Sequence, residues 1–431
     1  MSNNLKSIRP SANLSAWQVA TLLISTSYGI GFLFGSGELA LKWGMAGSIY
    51  AVITALGIAV LALVAPKVWR NGMQIWQMLG SAYGVKVSKL VALLSVVWMS
   101  GVLAAQIHGG VAVMQLMGAS TMPAYTLMLI LIFAVSRMKL EMAAKVFAVC
   151  LIASSLALVH ALFSINGMPV LRSAVPSFAI DLQLIPTDRL WAIALAVAPL
   201  VVTGADYQQF VIAARTPRAA VLGCLMAAGF LFLFGFVPAA IVLAYGSIPA
   251  AAHTANGNQI IPFVMSELFQ RMALGYGWAM LIGLLTAALG SAAAIVRAMT
   301  SATLGAISHK HQSDGTNLVM ILLGGLIASR GQAIIDTMVA LNMVYLGAIG
   351  VVLVALLVRW KVSAQTAWFS MLAGFTASLM GYVCGWAGLT SLDTDLVSLV
   401  AGLLASLFVF GLHAVATRST TVDLVSPVRV K

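Results

Sequence analysis

Long apolar runs alternate with short polar connections along this chain, and the runs are long enough to cross a bilayer. A helix needs about 20 predominantly apolar residues to span the hydrocarbon core. Twelve such spans are predicted, near 17–41, 45–65, 88–117, 122–136, 143–165, 190–214, 219–245, 275–306, 317–329, 333–358, 365–388 and 395–416. The fourth and ninth are short. Loops over 66–87, 166–189 and 246–274 are long enough to hold amphipathic or re-entrant pieces.

Two spans are interrupted, and they lie five spans apart. The first carries Ser25-Thr26-Ser27-Tyr28-Gly29-Ile30-Gly31 where a membrane helix should be most regular, and the sixth carries Pro199 and then Thr203-Gly204-Ala205-Asp206. Proline removes a backbone donor and glycine weakens a helix. In lipid such a break survives only where the freed backbone groups meet protein, water or a ligand. Interrupted helices at matching positions of two halves point to the binding site of a secondary transporter.

Composition narrows the class. The 431 residues are 61% hydrophobic and 8% charged, against about 25% charged in soluble proteins. Most of the surface must therefore face lipid. The runs do not alternate as β-barrel strands would, so the expectation is an all-α membrane protein whose partners are the bilayer and a small molecule. The net charge of +12 predicts no nucleic-acid partner, because the basic residues stand singly or in pairs between spans. Cys150, Cys224 and Cys384 lie inside spans with no disulfide or metal spacing. No cofactor is expected beyond Na+ or H+ as coupling ion, and oligomeric state is left open. The polar stretch from Met1 to Asn13 does not read as a signal peptide. No nucleophile–base pair is visible beside a span, so an enzyme is not expected.

Orientation follows from Lys and Arg. With the N-terminus inside, 18 of the 23 basic residues fall on the inner side and 5 on the outer. That asymmetry predicts both termini in the cytoplasm and placement in a bacterial inner membrane.

In the first span, Gly31-Phe32-Leu33-Phe34-Gly35-Ser36-Gly37-Glu38 precedes Lys42-Trp43-Gly44-Met45-Ala46-Gly47. Gln74-Ile75-Trp76-Gln77-Met78-Leu79, Tyr83-Gly84 and Ala105-Gln106-Ile107 follow, then Gly204 to Arg215 and Leu284 to Leu304. In order and spacing these resemble the sodium:solute symporter family over residues 15 to about 360. The resemblance implies the leucine-transporter fold: a 5+5 inverted repeat with broken helices 1 and 6, and two additional C-terminal helices. The implied divisions are a cytoplasmic N-terminus at 1–14 and a core at 15–360, with repeats at about 15–166 and 189–360. Two extra helices follow at 361–417 and a cytoplasmic tail at 418–431. Usual members carry one more helix ahead of the core, which is expected to be missing here.

The family's sodium ion sits between the broken first helix and the eighth. Mapped onto this chain, the ligands would be the carbonyls of Ile24, Ser27 and Ala288 and the hydroxyl of Ser291. The sequence departs from the pattern at Ala292, where a second hydroxyl is expected. It departs again in the fifth helix, where Lys145 stands near an expected carboxylate. One reading has the Lys145 ammonium replacing sodium, which predicts proton coupling or exchange. The other is an interfacial lysine that snorkels to headgroups, with an ordinary sodium-coupled symporter behind it.

The substrate site is predicted at Gly29, Gly31 and Gln106, and the resemblance adds Val197, Val201 and Ala205, near which relatives line their pocket. The three on the sixth span are apolar, which disfavours sugar recognition and suits a monocarboxylate, an amino acid or a compact ring compound. Backbone N–H groups at Gly29 to Gly31 are placed to receive a carboxylate. Asp206 reads as a brace of the sixth helix, and Arg330 and Asp336 as a pair at the outer ends of spans 9 and 10. The function expected is secondary active transport by alternating access; a non-transporting sensor is the rival from another class.

Overall fold

The structure is a computed structural model, and it describes residues 13–246, 260–270, 274–307, 314–329, 334–360, 362–390 and 392–422. The described residues form helices: α1 (Ala16–Ser27), α2 (Ile30–Trp43), α3 (Ile49–Asn71), α4 (Ile75–Tyr83), α5 (Val85–Leu116), α6 (Thr121–Ser136) and α7 (Leu140–Ser164). Next come α8 (Met168–Arg172), α9 (Ala174–Asp181), α10 (Thr187–Thr203), α11 (Ala205–Ile212), α12 (Pro217–Phe234) and α13 (Val237–Tyr245). The remainder are α14 (Ile260–Gln270), α15 (Leu274–Ile307), α16 (Asp314–Ala328), α17 (Ile334–Leu357), α18 (Ala364–Trp386) and α19 (Thr394–Val422).

Among the described residues, nine helical stretches are long and apolar enough to cross a bilayer, making this an integral multi-pass membrane protein. The short fourth and ninth spans are α6 and α16, of 16 and 15 residues, fewer than a full crossing uses. The long loops hold α4, α8, α9 and α14.

The first break is narrower than its sequence suggests. Ser25 and Thr26 stay helical because the Tyr28 N–H donates to the Ile24 carbonyl at 2.6 Å. Only Tyr28 and Gly29 leave the helix, Gly29 in an extended conformation. In the sixth span Pro199 does not end the helix. It lies inside α10, and the chain opens five residues later at Gly204, also extended. The seventh span is bent, which its apolar run did not announce. Pro238 has no N–H to give the Phe234 carbonyl, and the helix resumes as α13 after Gly235 and Phe236.

One end of the bundle ties the two broken spans together. Ser15 caps α1 in a reciprocal box with Gln18, fixing where that helix starts. Just before it, Leu14 pairs with the exit of α11: its N–H donates to Ala213 at 3.1 Å, and its carbonyl accepts from Arg215 at 2.9 Å. Trp69 Nε1 closes the knot on the Ala214 carbonyl at 2.6 Å.

Burial sorts the helices into core and rim. In α5, 83% of the most apolar window is buried, against 33% for α18 and α19, so α5 is the central post. The last two helices sit at the edge, packed on each other and on α17. Their seam uses small polar residues, as membrane interfaces do. Ser378 and Ser398 exchange hydroxyl-to-carbonyl bonds at 2.6 and 2.8 Å, and Ser370 donates to the Ser406 carbonyl at 2.8 Å.

Candidate functional site

The two breaks meet. Thr26 and Ser27 at the end of α1, and Asp206 and Tyr207 at the start of α11, line one small cavity in the bundle core. Phe32 on α2, Gln106 and Trp98 on α5, Tyr50 on α3, Val197 and Val201 on α10 and Asn342 on α17 also line it. A space of about 30 Å³ remains, room for about one water and too little for an organic solute. The Ser27 hydroxyl lies 3.5 Å from the Tyr207 hydroxyl and links one break to the other.

Each break is held by the helices around it. A Cβ at Gly29 would overlap Gln106 Oε1 and come within 2.9 Å of the Ser291 side chain, so α5 and α15 press directly on bare backbone. This close approach, not an unusual φ, is what glycine supplies here. At the second break Gln208 Nε2 donates to the Val202 carbonyl at 3.0 Å. Gln209 Nε2 donates to the Asp206 and Ala294 carbonyls at 2.9 and 3.1 Å. At the second break side-chain amides thus take up backbone carbonyls, as a bilayer interior demands.

Some polar atoms remain unsatisfied. Thr26 Oγ1, Asp206 Oδ1 and Asn342 Oδ1 are buried without hydrogen-bond partners, and their residues are only 5%, 2% and 4% exposed. Asn342 spends its Nδ2 on the Ala196 carbonyl at 3.3 Å, which leaves the oxygen free. Backbone N–H groups of Asp206 and Tyr207 face the Asp206 carboxylate. Unpartnered buried polar groups cost stability, and intramembrane ones are functional candidates by default.

The predicted substrate positions separate into two groups. Gln106, Val197 and Val201 line the cavity, and Gly29 backs onto Gln106. Ala205 is buried as the first residue of α11 without lining the space, and Gly31 lies in the first turn of α2. Sequence reasoning passed over Asn342, Tyr50, Trp98 and Tyr207 and gave Asp206 a bracing role. Asn342 was findable, as a lone amide in a long apolar helix.

The cation positions are rearranged. Ile24 does not present a free carbonyl, because α1 continues past it and the Tyr28 N–H takes that oxygen. Ser291 Oγ donates to the Thr26 carbonyl at 2.7 Å, acting as a bolt between α15 and α1. Ser27 Oγ donates to the Leu23 carbonyl at 3.0 Å, Ala288 is buried on α15, and Ala292 offers only a methyl. A hard cation wants several oxygens, and with Ser291 bonded to Thr26 and Ala292 bare, fewer oxygens stand free between α1 and α15 than the sequence mapping implied. Lys145 is a correction: it is exposed, on the face of α7 shared with Val149 and Ile152. Phe147 is the α7 residue that reaches toward Gly290.

A second polar cluster closes the end of the bundle where α10 begins. Arg189 Nη1 lies 2.7 Å from Asp395 and 3.5 Å from Asp393, and its Nη2 meets Asp336. Asp336 was expected to pair with Arg330, which lies outside the described residues; its partner is Arg189. The cluster borders an open space of about 700 Å³ that Lys42 and Trp43 also line. At the other end Arg297 donates to the Ser136 and Val135 carbonyls, both at 3.1 Å.

No family model matches the chain, and no curated protein matches it. Solved structures do. The chain is similar to a Na+-coupled sialic acid symporter in a substrate-bound, outward-open state, at 15% identity and TM-score 0.70, covering 94% of this chain and 92% of that one. It is similar to Mhp1, a nucleobase-cation-symport-1 family transporter in a closed conformation with bromovinylhydantoin bound, at 15% identity and TM-score 0.60, covering 96% and 97%. A manganese transporter of Eremococcus coleocola matches at 14% identity and TM-score 0.60, covering 96% and 98%. The fold is the leucine-transporter fold, with helices 1 and 6 of the core broken and two helices appended.

Proposed function

We propose that the chain is a secondary active transporter of a small organic solute, working by alternating access around the cavity between the two breaks. The observation that carries this reading is the convergence of both breaks on one cavity with three unpartnered buried polar atoms. Intramembrane polar groups that face one another in a cavity are functional candidates. Repeats at about 15–166 and 189–360 would rock against each other, with 361–417 as a peripheral pair. We read the chain as a divergent relative of the sodium:solute symporters. The 30 Å³ left in the cavity suits a closed intermediate, flanked by the Arg189 cluster on one side and by the Trp69 and Arg297 contacts on the other.

Alternating access is tested by sidedness. A Val201→Cys variant lacking Cys150, Cys224 and Cys384, reconstituted in liposomes, should react with an impermeant thiol reagent from both sides of the membrane. Each side should be favoured under different ligand conditions. Reaction from one side only under every condition, or from neither, would overturn the reading.

Orientation is a separate proposal, with both termini inside a bacterial inner membrane. Lys86 is exposed in the first turn of α5, and Gln183 in the short 3-10 turn between α9 and α10. Three predicted spans separate them, which puts them at opposite ends of the bundle. Gln183→Cys should label in intact cells, and Lys86→Cys only after the membrane is opened. The reverse pattern would invert the topology.

For coupling we propose a proton gradient or exchange. The Ser291 hydroxyl is already committed to the Thr26 carbonyl, and Ala292 supplies no oxygen. Uptake should persist when choline replaces sodium. Because Lys145 is exposed, Lys145→Ala should change stability by no more than about 0.5 kcal/mol and leave uptake intact. Steep sodium dependence would restore the ordinary symporter; loss of uptake in Lys145→Ala would return the lysine to the mechanism.

A further inference from the structure

We propose that the transported solute carries a protonated nitrogen, and that the Asp206 carboxylate is its counter-charge in the central cavity. This rests on the alternating-access reading above and adds the chemical class of the solute. Among the lining residues Asp206 is the acid, and none is Lys, Arg or His, so the wall carries a net negative charge whenever that carboxylate is ionised. The unpartnered atoms agree with the charge. Asp206 Oδ1 and Asn342 Oδ1 are acceptors, and Thr26 Oγ1 accepts through its lone pairs. Each belongs to a residue more than nine-tenths buried. An ammonium group brings up to three donors, enough for these acceptors.

The rest of the wall suits the same ligand. Phe32, Tyr50, Trp98 and Tyr207 line the space, and aromatic faces attract cations. A simple monocarboxylate would bring a second negative charge to Asp206 in a low-dielectric site with no basic residue to balance it. It is therefore disfavoured as a lone functional group when that carboxylate is ionised. An amino acid remains compatible through its ammonium.

The test needs no knowledge of the natural solute. In detergent, purified Val201→Cys without the native cysteines is reacted with aminoethyl or sulfonatoethyl methanethiosulfonate. Rates are normalised to those of a free thiol. The cationic reagent should win by about tenfold or more, the range over which a charged cleft concentrates its counter-ion. Asp206→Asn should collapse the preference toward unity. Ethylammonium chloride should slow the cationic reagent, whereas equal sodium chloride should not. Val197→Cys gives the same measurement should Val201→Cys fold poorly. A ratio near one, or a preference for the anionic reagent, overturns the inference while leaving alternating access standing. Protection by sodium and not by ethylammonium assigns the carboxylate to an inorganic ion and overturns it too. Labelling by neither reagent removes the transport reading along with it.

Discussion

Gly29→Leu is expected to abolish uptake while leaving folded, membrane-inserted protein. The reason is local. At Gly29 even a Cβ overlaps Gln106 Oε1 and crowds Ser291, and both side chains are buried to 2% exposure or less. Overpacking of this kind costs about 1–3 kcal/mol when neighbours can give. Here the neighbours are the helices that define the site. Displacing α5 moves Gln106, Trp98 and Val102 together; displacing α15 breaks the Ser291 bolt to Thr26. A misplacement near 1 Å in a positioned site is worth about a hundredfold in rate, so uptake should fall at least that far. Gly229→Leu is the control, because a Cβ there meets nothing within 4 Å and its surroundings are exposed. Equal uptake by the two variants would mean the close approach at Gly29 has no part in transport.

Much of the architecture was legible because membrane helices announce themselves by length and because glycine and serine inside an apolar run contradict it. The breaks at Gly29 and Gly204 were found that way. Pro199 misled, since α10 absorbs it and Thr203 Oγ1 bonds back to the Pro199 carbonyl at 2.8 Å. Faces were harder to read. In a soluble helix polarity marks the outside, but α7 is apolar on both sides. Its buried residues Ala143, Ala144, Phe147, Ser154, Leu158 and Ala161 carry no charge, and exposed Val149, Ile152 and Leu156 are as apolar as any of them. Nothing in composition says which side Lys145 takes. Gln106 was legible as an isolated polar residue, and by the same rule Asn342 should have been. Charge pairs across distant segments are invisible without the fold: Arg189 lies 204 and 206 positions from Asp393 and Asp395.

Those carboxylates give the second large effect. Arg189→Met should destabilise the protein by about 3–5 kcal/mol, the cost of stripping one partner from a buried ion pair. The Arg189 side chain is 15% exposed and that of Asp395 9%, so the orphaned acid would keep most of its desolvation cost unless water entered from the open space beside it. Asp336 is a different case. Its side chain is 64% exposed, and Asp336→Asn should cost at most about 1 kcal/mol despite the contact. The contributions are then separable in a double-mutant cycle. Asp395→Asn placed on the Arg189→Met background should recover part of the loss, because it removes the buried charge that the substitution abandoned. Asp336→Asn on that background should recover little. The readout is thermal unfolding of the purified protein in detergent, paired with the sidedness measurement at Val201→Cys. Since Arg189 starts α10, Asp336 lies in the first turn of α17 and Asp395 in the first turn of α19, losing the cation should also loosen that end of the bundle. Labelling at Val201→Cys from the Arg189 side should rise relative to the opposite side. Destabilisation without any change in sidedness would leave the cluster as a structural tie and move the closing contact elsewhere. An unchanged melting temperature would show that Asp395 finds water once Arg189 is gone, and that the ion pair is not the latch its burial implies.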